Sequence, residues 1–140
     1  MNPRQHVFQL ILKSDPRNIG KVEAFLREVG QAVKLDEIRL HKLMVALTEA
    51  VNNAILHGNK SNPDKSVALT CEVKEGGLSI RVRDQGGGFK PEAVENPLKE
   101  ENLLRESGRG IFLMRTLMDK VEFVRTSEGM EVQLWLRLES

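Results

Sequence analysis

Two periodicities alternate along the chain. Residues 7–13 (VFQLILK) are apolar-rich and bounded by Ser14, Asp15 and Pro16, so they predict a strand. Ser14 or Asp15 then caps a helix with Pro16 near its first turn. Ile19, Val22, Phe25, Leu26, Val29 and Val33 recur at helical spacing. Asp36 opens a second helix, which Gly58 closes, with Leu40, Leu43, Met44, Leu47, Val51 and Ala54 as its apolar stripe. Residues 66–74 and 78–84 alternate with period two and read as a hairpin joined through Glu75, Gly76 and Gly77. Helical spacing returns over 110–119, with Ile111, Met114 and Met118 on one side, and strands 121–126 and 131–138 end the pattern.

The order β-α-α-β-β-loop-α-β-β predicts an α+β fold: a two-layer α/β sandwich with helices on one face of a mostly antiparallel sheet. Residues 85–107 lack periodicity, and so long a loop inside a compact domain is usually functional or disordered. No repeat or linker interrupts the 140 residues, so residues 1–140 read as one domain.

Composition narrows the function classes. Twenty-one Lys+Arg against 20 Asp+Glu leave a net charge of +1, which gives no field for nucleic acid or an anionic membrane. No run approaches the ~18 apolar residues of a membrane span, and the first residues lack a signal peptide's layout, so a cytoplasmic protein is expected. Cys71, the only cysteine, falls in an apolar alternation and reads as core. His6 and His41 have no partner at metal-ligand spacing.

Three features carry candidate chemistry. Glu49 and Asn53 lie one helical turn apart on one face, among small and apolar neighbours. They are either a solvated polar face or a base beside an oxygen ligand for Mg²⁺. Asp84 continues the row Leu78, Ile80, Val82 by parity, and a carboxylate there needs a partner. Gly86, Gly87 and Gly88 follow, and let a backbone turn sharply or a flat ligand approach. Ser107-Gly108-Arg109-Gly110 opens the last helix, as a cap, a hinge or a phosphate-binding N-terminus. None of these is a P-loop.

Taken together, Glu-x-x-x-Asn on a helix, a strand ending Asp-x-Gly-x-Gly, a long loop and Gly-x-Gly opening a helix resemble the GHKL (Bergerat-fold) ATPase/kinase superfamily, which includes gyrase and the histidine kinases. The nearest likeness is to serine-protein kinases that act as anti-sigma factors, of the RsbW and SpoIIAB type. It runs through Glu49-Ala50-Val51-Asn52-Asn53-Ala54, His57-Gly58 and Ser107-Gly108.

The resemblance implies ATP as co-substrate, Mg²⁺ held by Asn53, and Glu49 as general base. It implies that Asp84 reads the adenine amino group, with Gly86 and Gly88 shaping that wall and Phe89 beside it. Residues 89–107 become an ATP lid. Gly108 and Gly110 meet the phosphates, with Ser107 beside them, and Arg105 contacts phosphate or a partner. His57 is either a helix C-cap or a nucleotide contact. The implied partners are a STAS-type antagonist as substrate and a sigma factor as client, with a homodimer in keeping with the family. Other outputs of the same likeness are an ATP-gated binding module without turnover and a partner-switch kinase with a non-sigma output. One position departs from the family: Gly129-Met130 stands where Gly-Thr is usual, the Thr helping to bind adenine through the Asp. Water or Ser107 covers that loss, or nucleotide binding is weakened.

Overall fold

The computed structural model describes residues 7–86 and 109–138. Every element expected from the pattern forms, in the expected order. Strand β1 is Val7–Lys13, helix α1 Ile19–Ala32, helix α2 Glu37–Asn53, strand β2 Ser66–Lys74 and strand β3 Gly77–Arg83. Helix α3 is Arg109–Leu117, strand β4 Lys120–Arg125 and strand β5 Met130–Arg137. The five strands form one sheet in the order β1-β2-β3-β5-β4, and every pairing is antiparallel.

Strand parity decides which side meets the helices. Leu12, Val67, Leu69, Cys71, Leu78, Ile80, Val82, Val132, Leu134 and Leu136 are buried on one face, and the register stacks them as Leu12 on Val67, Leu69 on Val82 and Ile80 on Leu134. Helices α1, α2 and α3 complete this single core with Val22, Leu26, Val29, Leu43, Leu47, Val51, Ile111 and Met114. Leu43 and Leu47 are fully buried, and truncating either to Ala costs ~2–5 kcal/mol. Burial drives the Cys71 thiol up to about 12, which leaves it an inert core group. The outward face is polar: Arg83 forks onto Glu131, which also accepts from Gln133. Trp135 lies on the same face over Gly77, where a β-carbon would collide with the indole.

Local chemistry sets the ends of the elements. Asp15 caps a short 3-10 turn, Pro16–Asn18, by accepting from the Arg17 backbone N–H, so Ser14 is not the cap. Asp36 caps α2 by accepting from the Arg39 N–H at 2.8 Å, and the Arg39 guanidinium donates to the Arg137 carbonyl at the end of β5. Glu75 and Gly76 both have positive φ (55° and 78°), the two-residue type I′ geometry that matches strand twist.

One expectation needs correction. The second helix does not run regularly to Gly58: its α-helical part ends at Asn53, and Ala54–Gly58 is wound wider as a π turn. The Asn59 N–H donates to the Ala54 carbonyl five residues back, at 2.8 Å. Such turns within helices are frequent at functional sites.

Candidate functional site

Glu49, Asn53 and Gly110 come together on α2, and Asp84 and Gly86 meet Gly58 just beyond its end. Glu49 and Asn53 are half-buried. What covers them is the start of α3. A methyl placed on the buried Gly110 would lie 3.3 Å from Glu49 Oε2 and 3.4 Å from Asn53 Nδ2, so any side chain there would press on both groups. Asn53 Nδ2 is buried and has no hydrogen-bond partner among the described residues. A buried amide left without a partner costs free energy, which a water, an ion or a ligand group can offset.

Beyond the end of α2, the π turn brings Gly58 against Asp84. Asp84 lies just past β3, and its own N–H still joins the ladder by donating to the Met130 carbonyl at 3.0 Å. Its side chain turns inward as parity requires and is 6% exposed. Oδ1 accepts from the Gly86 N–H at 2.9 Å and from the Met130 N–H at 3.1 Å. Oδ2 faces Gly58. A β-carbon on Gly58 or on Gly129 would collide with the carboxylate, and one on Gly86 would strike the Gly58 carbonyl. Three glycines thus let the backbone close in around one carboxyl group. Burial raises the Asp84 pKa above the ordinary aspartate value, against the pull of the Gly86 and Met130 N–H groups and the Lys65 charge.

Met130, where the sequence departs from the family, also meets Asp84. Its contact with Asp84 is made by the backbone, which any residue other than proline supplies. Lys65 was not singled out in the sequence. Its ammonium donates to the Gly86 carbonyl at 3.1 Å and holds the glycine turn from below.

His57 is exposed within the π turn, and the C-terminal cap falls on Asn59, not on His57. Gly88, Phe89, Arg105, Ser107 and Gly108, and the lid over 89–107, lie outside the described residues. No cluster of three or more His, Cys, Asp or Glu able to hold a metal occurs among the described residues. A groove of about 860 Å³ opens at the far end of α2, lined by Asp36, Lys42, Thr116 and Asp119 among others, and contains none of the candidate site residues.

Comparison with known proteins decides the family. Residues 12–136 match the family model of the histidine kinase-like ATPase domain. The chain belongs to that ATPase family. Among curated relatives of this family, the serine-protein kinase RsbW of Bacillus pumilus is 30% identical over 96% of this chain and 87% of its own. An anti-sigma F factor of Oceanobacillus iheyensis is 32% identical over 79% of this chain and 80% of its own. Among solved structures, the RsbU and RsbW domains of a Mycobacterium tuberculosis protein superpose with a TM-score of 0.69 at 17% identity. That match covers 94% of this chain but 32% of the longer one, and it bears on the fold alone. The ATPase fold is therefore the two-layer sandwich expected from the order of elements. No helix among the described residues is long and apolar enough to cross a membrane.

Proposed function

We propose that the protein is an ATP-dependent serine/threonine protein kinase of the anti-sigma type, which phosphorylates a STAS-type antagonist and sequesters a sigma factor in a partner-switching system. The observation that carries this reading is the pairing along α2: a carboxylate cradled by glycines at one end, and Glu49 with Asn53 under the start of α3 at the other. The relatives, named as serine-protein kinase and anti-sigma F factor, support the choice of reaction and partners.

In this reading Asp84 accepts a hydrogen bond from the adenine amino group through Oδ2, its other oxygen being held by two backbone N–H groups. Gly86 and Gly88 form the wall beside the base, with Phe89 and His57 as flanking contacts. The α3 N-terminus, with Gly110 and the preceding Gly108 and Ser107, offers backbone N–H groups and the positive end of a helix dipole to the phosphates, aided by Arg105. Glu49 takes the proton from the attacking Ser or Thr hydroxyl while the γ-phosphoryl group moves to that oxygen and ADP leaves. Phosphoryl transfer rests mainly on positioning and charge stabilisation, and general base catalysis contributes ~10²–10⁴-fold.

The side chains also suit Mg²⁺. Asn53 Nδ2 makes no hydrogen bond among the described residues, and the oxygen and nitrogen of such an amide exchange places by a simple flip. Mg²⁺ takes oxygen ligands and usually keeps substrate phosphates and waters in its shell, so the Asn53 amide oxygen would hold it together with the triphosphate. When bound, the ion neutralises charge on the triphosphate.

The test is transfer of labelled γ-phosphate to a purified STAS-type antagonist. Glu49→Gln is expected to lower transfer by ~10²-fold or more while ATP affinity stays within about twofold of the parent. Transfer at the parent rate by Glu49→Gln would remove Glu49 as the base.

A further inference from the structure

The functional reading leaves the buried Asn59 side chain, close to Asp84, without a task. Asn59, one residue past the glycine that faces Asp84, is 1% exposed. Its carboxamide bonds to three separate segments at one end of the sheet. Oδ1 accepts from the backbone N–H of Gln85 at 2.7 Å. Nδ2 donates to the Ser66 carbonyl at 2.9 Å and to the Ser14 hydroxyl. Gln85 closes the ring, its Oε1 accepting from the Ser66 N–H at 2.7 Å.

The bond to Gln85 matters most. That N–H belongs to the peptide unit that leaves Asp84, and the next N–H along, Gly86, is one of the two donors to Asp84 Oδ1. The Asp84–Gln85 peptide leads directly into the Gly86 donor, so holding it restricts where that donor lies and, with the Met130 N–H, how the carboxylate is oriented. The backbone N–H of the same Asn59 closes the π turn that brings Gly58 against Oδ2. One residue thus ties both walls of the cradle to each other.

We propose that Asn59 is a positioning residue for purine recognition: by gripping the peptide after Asp84 it holds the carboxylate in the orientation that selects the base. The inference rests on the reading of Asp84 as the group that meets the adenine amino function. It assigns no direct ligand contact to Asn59.

The test separates base recognition from general stability. Three ligands are titrated against each variant: ATP, purine riboside triphosphate (which lacks the 6-amino group) and tripolyphosphate. The parent is expected to prefer ATP over the amino-free analogue. Asn59→Ala is expected to lose about five- to tenfold of that preference, the scale of one well-placed hydrogen bond, with tripolyphosphate binding unchanged. Ser14→Ala removes a bond of the same buried network but spares the Gln85 contact, so it should lower the melting temperature and keep the preference. If Asn59→Ala does not fold, Asn59→Ser, whose hydroxyl is too short to reach Gln85, is read in its place. An undiminished preference in the Asn59 variant, with only a lowered melting temperature, overturns the proposal. Absence of any preference in the parent overturns the Asp84 reading itself, and the proposal with it.

Discussion

Asp84→Asn isolates the carboxylate with the least change of shape. The asparagine oxygen can keep both backbone bonds now made by Oδ1, from Gly86 and Met130. The amide nitrogen then takes the place of Oδ2 against Gly58, so a donor replaces the acceptor that the adenine amino group needs. A hydrogen bond to a charged group is worth ~1.5–3 kcal/mol, and a buried donor facing another donor adds a desolvation cost of ~1–3 kcal/mol. Together they give a loss of about 3 kcal/mol, or ~100-fold in Kd at ~1.4 kcal/mol per tenfold. Titration calorimetry with Mg-ATP measures it directly. The ligand-free protein should respond differently. Burial raises the Asp84 pKa in the folded state, so the group favours folding below the ordinary aspartate value of 3.8 and loses that contribution as pH rises through the raised value. At neutral pH the buried charge is a burden that the substitution removes, so the melting temperature should hold or rise at pH 7, with no such gain in acid. ATP affinity within threefold of the parent would refute the reasoning.

Other substitutions probe separate parts of the cradle. Gly58→Ala puts a methyl group into the Asp84 carboxylate and should weaken ATP binding by at least about tenfold, with a lowered melting temperature that calorimetry records. Met130→Thr keeps the backbone donor to Asp84 and should bind ATP at least as tightly as the parent, whereas Met130→Pro deletes that donor and should reduce binding. Glu131 on the outer face offers a pH test. Burial acts to raise its pKa, but hydrogen bonds from Gln133 and Arg83 outweigh it and hold the carboxyl below the ordinary glutamate value of 4.5. Its contribution to stability is therefore present above 4.5 and lost as pH falls through the lowered value, so Glu131→Gln should flatten the acid limb of a melting-temperature profile below that pH.

The elements were legible because the core rests on simple periodicities. The alternation in β2, β3 and β5 and the 3.6-residue stripes of α1 and α2 map directly onto buried positions such as Leu69, Ile80, Leu134, Val22 and Leu47. Asp84 could be placed inward from strand parity, and Glu49 with Asn53 on one face from helical geometry. Their relation to each other was carried by family likeness, since no local rule brings a strand end to a particular glycine. The rest was hidden for physical reasons. The Met130 contact is a backbone bond that leaves no trace in side-chain identity. Asn59 sits in a polar run, Asn59-Lys60-Ser61-Asn62, which reads as a solvated turn until the fold buries its first member. The π turn shares its composition with an ordinary helix, and its width is set by what Gly58 and Asn59 must reach.

That wide turn has a consequence for anyone who would stabilise this protein by design. Five residues are wound where tighter coiling would use fewer, and the surplus amounts to about one residue of rotation, ~100° on a standard helix. Deleting one position between Ala54 and Gly58, or filling the stretch with strong helix formers, would straighten the rod and improve its local energetics. It would also swing Gly58 and Asn59 out of line with the strand end they meet. The straighter rod would then belong to a molecule that has lost the proposed nucleotide cradle.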